Sequence, residues 1–346
     1  MDKNSKIFIA GHRGMVGSAI HRRLSACGYT HVIVRTHKEL DLTRQKDTED
    51  FFDREKPACV FLAAARVGGI LANSTYTADF IYQNIMIAAN VVHASYKSGV
   101  KKLLNLGSTC IYPKLAPQPL KEESLLAGYL EPTNEAYAIA KISAIKLCRY
   151  YNEQYRTNFM SVMPTNLYGI NDNYSLEGAH LLPAFIRKFH LAKLLRKNDL
   201  GAIKDDLRRR GAPAAFKGPA DDVTGALACV GVTAESLTLW GSGTPYRELL
   251  YADDLAEACV FLMERYDAVR IGEFVNLGTG EDMQIRDIAG LVRDVVGFEG
   301  EVRWDASKPD GTPKKLADVS RVNALGWKAR TALRDGIMLA YKDYLQ

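Results

Sequence analysis

Five side chains between positions 108 and 141 have the types and spacing to work on a carbonyl group. Residues 103–113, LLNLGSTCIYP, read as an apolar β-run that ends with Ser108, Thr109 and Cys110 in a row. Parallel sheets place chemistry at such strand ends. Tyr137 and Lys141, in NEAYAIAKI, are four apart on a predicted helix and so project from one face. A phenol beside an ammonium is a candidate proton donor, with Lys141 expected to lower the phenol's pKa from about 10. Tyr and Lys sit four apart often by chance, but joined to a serine at a preceding strand end they point to carbonyl chemistry.

The scaffold that must position these groups reads as alternating strands and helices. KIFIA at 6–10 feeds GHRGMVG, with Gly11, Gly14 and Gly17, and then helical periodicity. Glycines there permit positive φ and let backbone N–H groups approach a pyrophosphate at the helix start. The spacing is GxxGxxG rather than GxGxxG, and an ordinary βα turn is the other reading. HVIVRT at 31–36 ends in Arg35, where an NAD site would carry an acid. A cation there suits the 2′-phosphate of NADP, or is a solvated strand-end charge. Asp41 and Leu42 follow in a loop able to border an adenine. ACVFLAAA (58–65), a helix over 77–98, the strand of Ser108, a helix through about 155 and FMSVM (159–163) leading to PTNLYG complete the pattern. It predicts an α/β, Rossmann-like doubly wound parallel sheet with right-handed crossovers and a smaller, discontinuous C-terminal domain.

After Gly169 the character changes. A loop reaches His180, and LLPAFIRKFHLAKLL is an amphipathic helix. Residues 191–235, with a basic helical piece, a Pro/Gly loop and a small-residue helix, look like an inserted subdomain, and Arg208, Arg209 and Arg210 like a solvated face. A strand and glycine turn carry Trp240 and Arg247; 251–265 and 284–296 are helical, with a strand and turn at 273–281 between them. The expected division is 1–169, plus returning segments near 236–281, for a cofactor domain. Residues 170–235 and 282–346 would form the second domain, with the insertion at about 191–235.

Composition narrows the classes. The chain has 346 residues, 47% hydrophobic, without an apolar run long enough to span a bilayer or a leader-like N-terminus, so a cytoplasmic protein with no membrane partner is expected. Cys27, Cys59, Cys110, Cys148, Cys229 and Cys259 are scattered without a CxxC pair, which suggests neither a disulfide framework nor a zinc site, and no metal is expected. A net charge of +5 from 45 basic and 40 acidic residues does not suggest a nucleic-acid partner.

With GHRGMVG, GSTCIYP, Tyr137-x-x-x-Lys141 and PTNLYG in place, the chain resembles the extended short-chain dehydrogenase/reductase superfamily. Within it the resemblance is to the epimerase-reductases of GDP-linked 4-keto sugars. It runs over 5–190 and 236–345, through AAARVGGI, TYTADFIYQN, EPTNEAYAIAKI, WGSGTP and DASKPDGTP; the 191–235 region is the departure. The resemblance implies an NADPH-dependent enzyme that inverts carbons 3 and 5 of GDP-4-keto-6-deoxy-D-mannose and then reduces carbon 4, giving GDP-L-fucose. That order follows from chemistry, because the ketone acidifies the protons flanking it and reduction removes that acidity.

On this resemblance Tyr137 is the general acid, Lys141 also binds the cofactor ribose, and Ser108 helps hold the enolate oxygen. Cys110 and His180 become the epimerase pair; read alone, Cys110 is a small buried hydrophobe and His180 a plain loop histidine. Related dehydratases carry an acidic pair where this chain has Cys110-Ile111, which argues against dehydration. The implied cofactor residues are Gly11, His12, Arg13, Gly14, Met15, Val16, Gly17, Arg35, Ala63, Ala65, Leu106, Gly107, Lys141, Pro164, Thr165, Asn166, Leu167 and His180. Asn166, Lys188, Trp240, Arg247, Lys308 and Asp310 would take the nucleotide sugar, with a core anchor as the other reading of Trp240. The 191–235 region would lid that pocket or extend a subunit contact, and a homodimer through the helices around 77–98 and 134–155 is implied. A GDP-linked heptose as substrate and a non-catalytic NADP-binding scaffold are the alternatives.

Overall fold

The computed structural model describes residues 1–214, 216–219, 222–308 and 310–346, the side chains of Ile70 and Leu71 apart. The chain divides into two units. The first comprises Met1–Asn171, Glu248–Glu281 and Leu316–Thr331; the second comprises Asp172–Arg247, Asp282–Lys315 and Ala332–Gln346. These bounds differ from the sequence-based ones at 236–247, which fall in the second unit, and at Leu316–Thr331, which return to the first. Backbone pairing accounts for both. Ser236–Trp240 runs parallel to Glu301–Asp305, and Tyr246–Arg247 pairs with Met283–Gln284 and Lys314–Lys315. Leu316 O, in contrast, accepts the N–H of Leu120 at 2.7 Å.

The first unit is built on β1 (Ile7–Ala10), β2 (Val32–Val34), β3 (Cys59–Leu62), β4 (Lys102–Leu106), β5 (Phe159–Pro164) and a sixth strand, Val275–Leu277. All pair in parallel, and from one edge the order is Val275–Leu277, β5, β4, β3, β1, β2. The Rossmann-like reading is therefore borne out. Side-chain alternation assigns each strand to two cores at once. Ile7, Ile9, Phe61 and Leu104 pack toward Ile20 and Leu24 of α1 (Met15–Ala26) and toward Leu255, Cys259 and Leu262 of the helix Ala252–Arg265. Phe8, Val60 and Leu103 pack on the opposite face toward Phe51 and Phe52 of α2 (Gln45–Glu55). A short helix α3 (Ile70–Thr75) precedes the long α4 (Thr77–Lys97), which contributes Val91 and Val92 to that second core, as α5 (Glu135–Tyr155) contributes Cys148. Because both faces are covered, the strands read as continuous apolar runs.

In the second unit α6 (Leu181–Arg196), α7 (Leu200–Arg210) and α8 (Val223–Ala228) accompany the short strands. The 191–235 region is part of this unit's core rather than an appendage. Arg187, fully buried on α6, donates through Nε to Asp206 of α7 at 2.8 Å and through its two terminal nitrogens to the carbonyls of Tyr174, Arg210 and Gly211. Tyr344 adds a hydroxyl bond to Asp206, and Ile203, Leu227 and Val232 are buried. A buried arginine needs such partners for every donor, so α7 is fastened to α6. The arginine run is likewise only partly a solvated face: Arg208 and Arg209 are exposed, but Arg210 lies 4.4 Å over the Tyr344 ring. Ala215, Ala220 and Asp221 of the expected insertion, and Pro309, lie outside the described residues. Among the described residues no helix is long and apolar enough to cross a membrane.

Candidate active site

At the end of β4 the chain must leave the sheet, and Gly107 allows it. Its N–H donates to Val162 O at 2.8 Å, and any Cβ there would run into the Met163 side chain. Ser108 follows in extended backbone and caps a one-turn 3₁₀ helix, Thr109–Ile111, its Oγ accepting the Cys110 N–H at 3.4 Å. Ser108 and Cys110 are thus related by a turn, not by strand alternation. Opposite them, α5 presents Tyr137 and Lys141 from successive turns, the Lys141 Nζ 5.6 Å from the Tyr137 ring centroid. Phe80 of α4 stands edge-on to the Tyr137 ring at 6.4 Å.

The electrostatics reverse one expectation. Desolvation, with Cys110 adding to it, pushes the Tyr137 phenol above its usual pKa. Lys141, still charged at neutral pH, does not offset this rise; its Nζ is buried, donates to Leu106 O at 2.7 Å, and is drawn down to about 8 by burial, against an opposing effect of Cys110. Tyr137 is consequently a protonated donor at neutral pH. Cys110 is close enough to influence both groups, so the first unit brings Ser108, Cys110, Tyr137 and Lys141 together.

The glycine-rich turn fits a dinucleotide. Gly11 has φ +87°, and a Cβ on it would stand 2.7 Å from Ala64 N, while one on Gly17 would collide with the Gly11 carbonyl. α1 starts behind Gly14 with no side-chain cap and no acid in its first turn, which leaves its N–H groups for an anion. His12 Nδ1 is a buried nitrogen with no hydrogen-bond partner among the described residues. Arg13 is exposed, and Met15 and Val16 open the helix. Ala63 N donates to Ala10 O at 3.0 Å, which holds Ala63–Ala65 beside the turn. At the end of β5, Thr165 N bonds Leu277 O and Asn166 Nδ2 bonds Glu248 O at 3.1 Å, fixing Pro164–Leu167.

Three expected cofactor contacts have other partners. Arg35 is held by Glu55 at 2.9 Å and by the Val34 carbonyl at 2.8 Å, so it is neither a bare strand-end charge nor an unpartnered phosphate ligand. Leu42 is buried in the α2/α4 core with its carbonyl accepting Asn90 Nδ2, and Asp41 closes a turn onto Thr43.

In the second unit Trp240 is 63% exposed, with Lys308 Nζ 5.5 Å from its ring centroid, which excludes the core-anchor reading. Asp310 accepts the N–H and the hydroxyl of Ser242 at 2.9 and 2.7 Å. Arg247 donates to the carbonyls of Tyr246 and Thr312, both at 2.7 Å, and burial lowers its pKa against the pull of Asp310. Lys188 is buried, donates to Val230 O at 3.0 Å and has its pKa lowered chiefly by burial. His180 stands at the head of α6 and keeps solvent contact, yet desolvation and then Lys315 hold its imidazole below the ordinary value.

Three buried polar residues of the first unit escaped sequence reasoning. Glu248 is fully buried and accepts from Thr279 N, Gly280 N and Ala317 N at 2.7–2.8 Å. Tyr112 donates its hydroxyl to the Asn276 side-chain carbonyl at 2.6 Å. An acid inside the apolar run RELLY was the available sign for Glu248; an Asn in FVNLG was a weaker one for Asn276.

A nucleotide cradle, a doubly wound sheet and a Ser–Tyr–Lys constellation define a Rossmann-type oxidoreductase or epimerase site. The chain belongs to the NAD dependent epimerase/dehydratase family, whose model matches residues 7–208 and 213–278. It is 51% identical to GDP-L-fucose synthase 1 of Arabidopsis thaliana over 345 residues, a match covering 100% of this chain, residues 191–235 included, and 94% of the relative. Among solved structures, a GDP-6-OMe-4-keto-L-xylo-heptose reductase from Campylobacter jejuni superposes with a TM-score of 0.94 at 39% identity, covering 100% of this chain and 99% of the other. A GDP-mannoheptose C4 reductase from the same organism, with NADP bound, does so at 0.88 and 38%, covering 100% of both chains.

Proposed function

We propose that this chain is an NADPH-dependent enzyme that epimerises GDP-4-keto-6-deoxy-D-mannose at carbons 3 and 5 and reduces it at carbon 4, giving GDP-L-fucose. The observation that carries the reading is the gathering of Ser108, Cys110, Tyr137 and Lys141 at the end of β4, in a chain half identical to a GDP-L-fucose synthase. NADPH, held by Gly11–Gly17, Arg13, Arg35 and Pro164–Leu167, supplies the hydride.

Cys110 removes the proton from carbon 3 or 5 and His180 returns one on the opposite face of the ring, which is what inversion requires. Tyr137 and Ser108 hydrogen-bond the oxygen of the enolate that forms between these steps. In the reduction Tyr137 gives its proton to the carbon 4 oxygen, a task suited to a phenol kept protonated by burial. Lys141 steadies the ribose and the Leu106 carbonyl. Lys188 and Arg247 take the diphosphate, Trp240 covers the base, and Lys308, Asp310 and Asn166 complete the substrate contacts.

The enzyme works in the cytoplasm, where a reducing environment keeps its six cysteines as thiols. It forms a homodimer through the outer faces of α4 and α5, a reading supported by the exposed Tyr82 and Tyr150. The likeness to the two heptose reductases keeps a GDP-linked 4-keto heptose as the second reading of the substrate.

Purified enzyme given GDP-4-keto-6-deoxymannose and NADPH is expected to lose NADPH absorbance; oxidation only with a GDP-keto-heptose would move the assignment to the second reading. Tyr137→Phe is expected to abolish reduction, and Cys110→Ser to abolish deuterium uptake from solvent at carbons 3 and 5. Normal exchange in Cys110→Ser would remove Cys110 from the base role.

A further inference from the structure

The turn that carries Ser108 and Cys110 is anchored at both ends, and its far anchor lies outside the catalytic set. At the near end Gly107 is hydrogen-bonded into the sheet. At the far end Tyr112, 4% exposed, sends its hydroxyl 2.6 Å to Asn276 of the strand Val275–Leu277. Asn276 has no solvent exposure and is held by three further bonds: its N–H donates to Glu122 Oε1 at 3.0 Å, and Nδ2 donates to the carbonyls of Leu120 and Asp318 at 2.9 and 3.3 Å. Glu122 is itself buried and lies 3.7 Å from Arg321. Around this network Ile111, Tyr112, Leu120 and Phe274 form a small core with Ile142 and Ile145 of α5, the helix of Tyr137 and Lys141.

We infer that Tyr112 and Asn276 are positioning residues for the reaction: their hydrogen bond sets where Ser108 and Cys110 stand relative to Tyr137. The physical reason is geometric. Ser108 and Cys110 lie in a single turn held internally by three long bonds, from Cys110 N–H to Ser108 Oγ at 3.4 Å, Ile111 N–H to Ser108 O at 3.3 Å and Tyr112 N–H to Thr109 O at 3.4 Å, too little to define a side chain to a fraction of an ångström. Tyr112 is the first residue beyond the turn with a buried polar group, and Asn276 is held independently of it by three bonds to two chain segments, Leu120–Glu122 and Asp318. Without the hydroxyl, the Asn276 oxygen would be left buried and unpaired, and the turn would be free to settle elsewhere. This inference rests on the catalytic reading of Ser108 and Cys110.

The test compares Tyr112→Phe, Asn276→Asp and Tyr29→Phe with the parent enzyme and with Cys110→Ser. Tyr29 is equally buried in the first unit and donates its hydroxyl to Glu264 at 2.6 Å, so Tyr29→Phe reports the generic cost of such a bond. Tyr112→Phe is expected to lower kcat for NADPH oxidation and the rate of deuterium uptake together, by about 10-fold or more. KM and the NADPH Kd should be unchanged. Asn276→Asp keeps an acceptor for Tyr112 while losing two donor bonds, so it is expected to be less stable than Tyr112→Phe yet more active. Tyr29→Phe should lose stability with kcat intact.

Wild-type kcat and exchange in Tyr112→Phe, a matching loss in Tyr29→Phe, the reverse activity order for Asn276→Asp, or a weakened NADPH Kd would each overturn the inference. Normal exchange in Cys110→Ser would show that the catalytic reading has failed and the inference with it. Blocked exchange in Cys110→Ser beside an unaffected Tyr112→Phe would mean that only the positioning role is wrong.

Discussion

The Lys141 ammonium donates to the Leu106 carbonyl at 2.7 Å, so the helix of Tyr137, the proposed general acid, is tied directly to the strand that leads into Ser108. Burial draws this lysine to about 8, within reach of ordinary assay conditions. Reduction is expected to fall as pH rises through about 8, because the neutral amine no longer supports the ribose and the carbonyl. Lys141→Arg, which stays charged, should lose that alkaline limb even if its rate is lower. The stability effect has the opposite sign. The folded value lies below the unfolded one of about 10.5, so the cost of burying the charge is full below about 8 and is relieved as pH rises toward 10.5. A kcat profile alongside thermal unfolding at each pH separates loss of activity from loss of fold.

Arg35 is pre-engaged by Glu55. Replacing Arg35 with Ala is expected to weaken NADPH binding about 10- to 100-fold while leaving NADH nearly unchanged, the loss of one or two charge-assisted bonds to a 2′-phosphate. Glu55→Gln should tighten NADPH by releasing the guanidinium. Fluorescence titration with both nucleotides checks the pair; equal losses for NADH and NADPH in Arg35→Ala would remove Arg35 from the 2′-phosphate.

Arg187 is expected to be among the costliest residues to replace in the second unit. Arg187→Met would leave the buried Asp206 with Arg210 Nε, at the longer distance of 3.5 Å, as its cation and would take a donor from three carbonyls, and should destabilise by about 3–5 kcal/mol. For the same reason deletion of 193–233 is expected to yield insoluble protein rather than an enzyme with a more open pocket. Denaturant unfolding of Arg187→Met, and solubility of the deletion, are the measurements.

Glu248 joins three segments that are far apart in the chain, through the N–H groups of Thr279, Gly280 and Ala317. In Glu248→Gln one carboxylate oxygen becomes an amide that cannot accept from both sides, so about 1.5–3 kcal/mol should be lost. An unchanged melting temperature would show that the amide finds an alternative arrangement.

Much of the first unit is legible in the chain because its causes are local. A fully buried parallel strand must be an unbroken apolar run, a glycine must stand where a Cβ would strike the backbone, and Tyr137 and Lys141 share a face by helix periodicity alone. IFIA, CVFL and FMSVMP accordingly appear in place, and α4 ends within a residue of the expected 98. Ser108, Tyr137 and Lys141 are legible for the same reason, since they lie on a strand end and one helix face, whereas Cys110 and His180 became candidates only through the resemblance.

What the sequence alone determined, then, is the fold class and the family, together with a candidate site at the strand end. Tertiary structure decided the rest, because burial and pairing depend on residues remote in the chain. It tied Arg35 to Glu55, turned Leu42 into the core, left Trp240 exposed and made the 191–235 region part of a core through Arg187 and Asp206. It also reversed the expected effect on Tyr137, since the spacing of Tyr137 and Lys141 reveals their proximity but not the desolvation that acts on each of them.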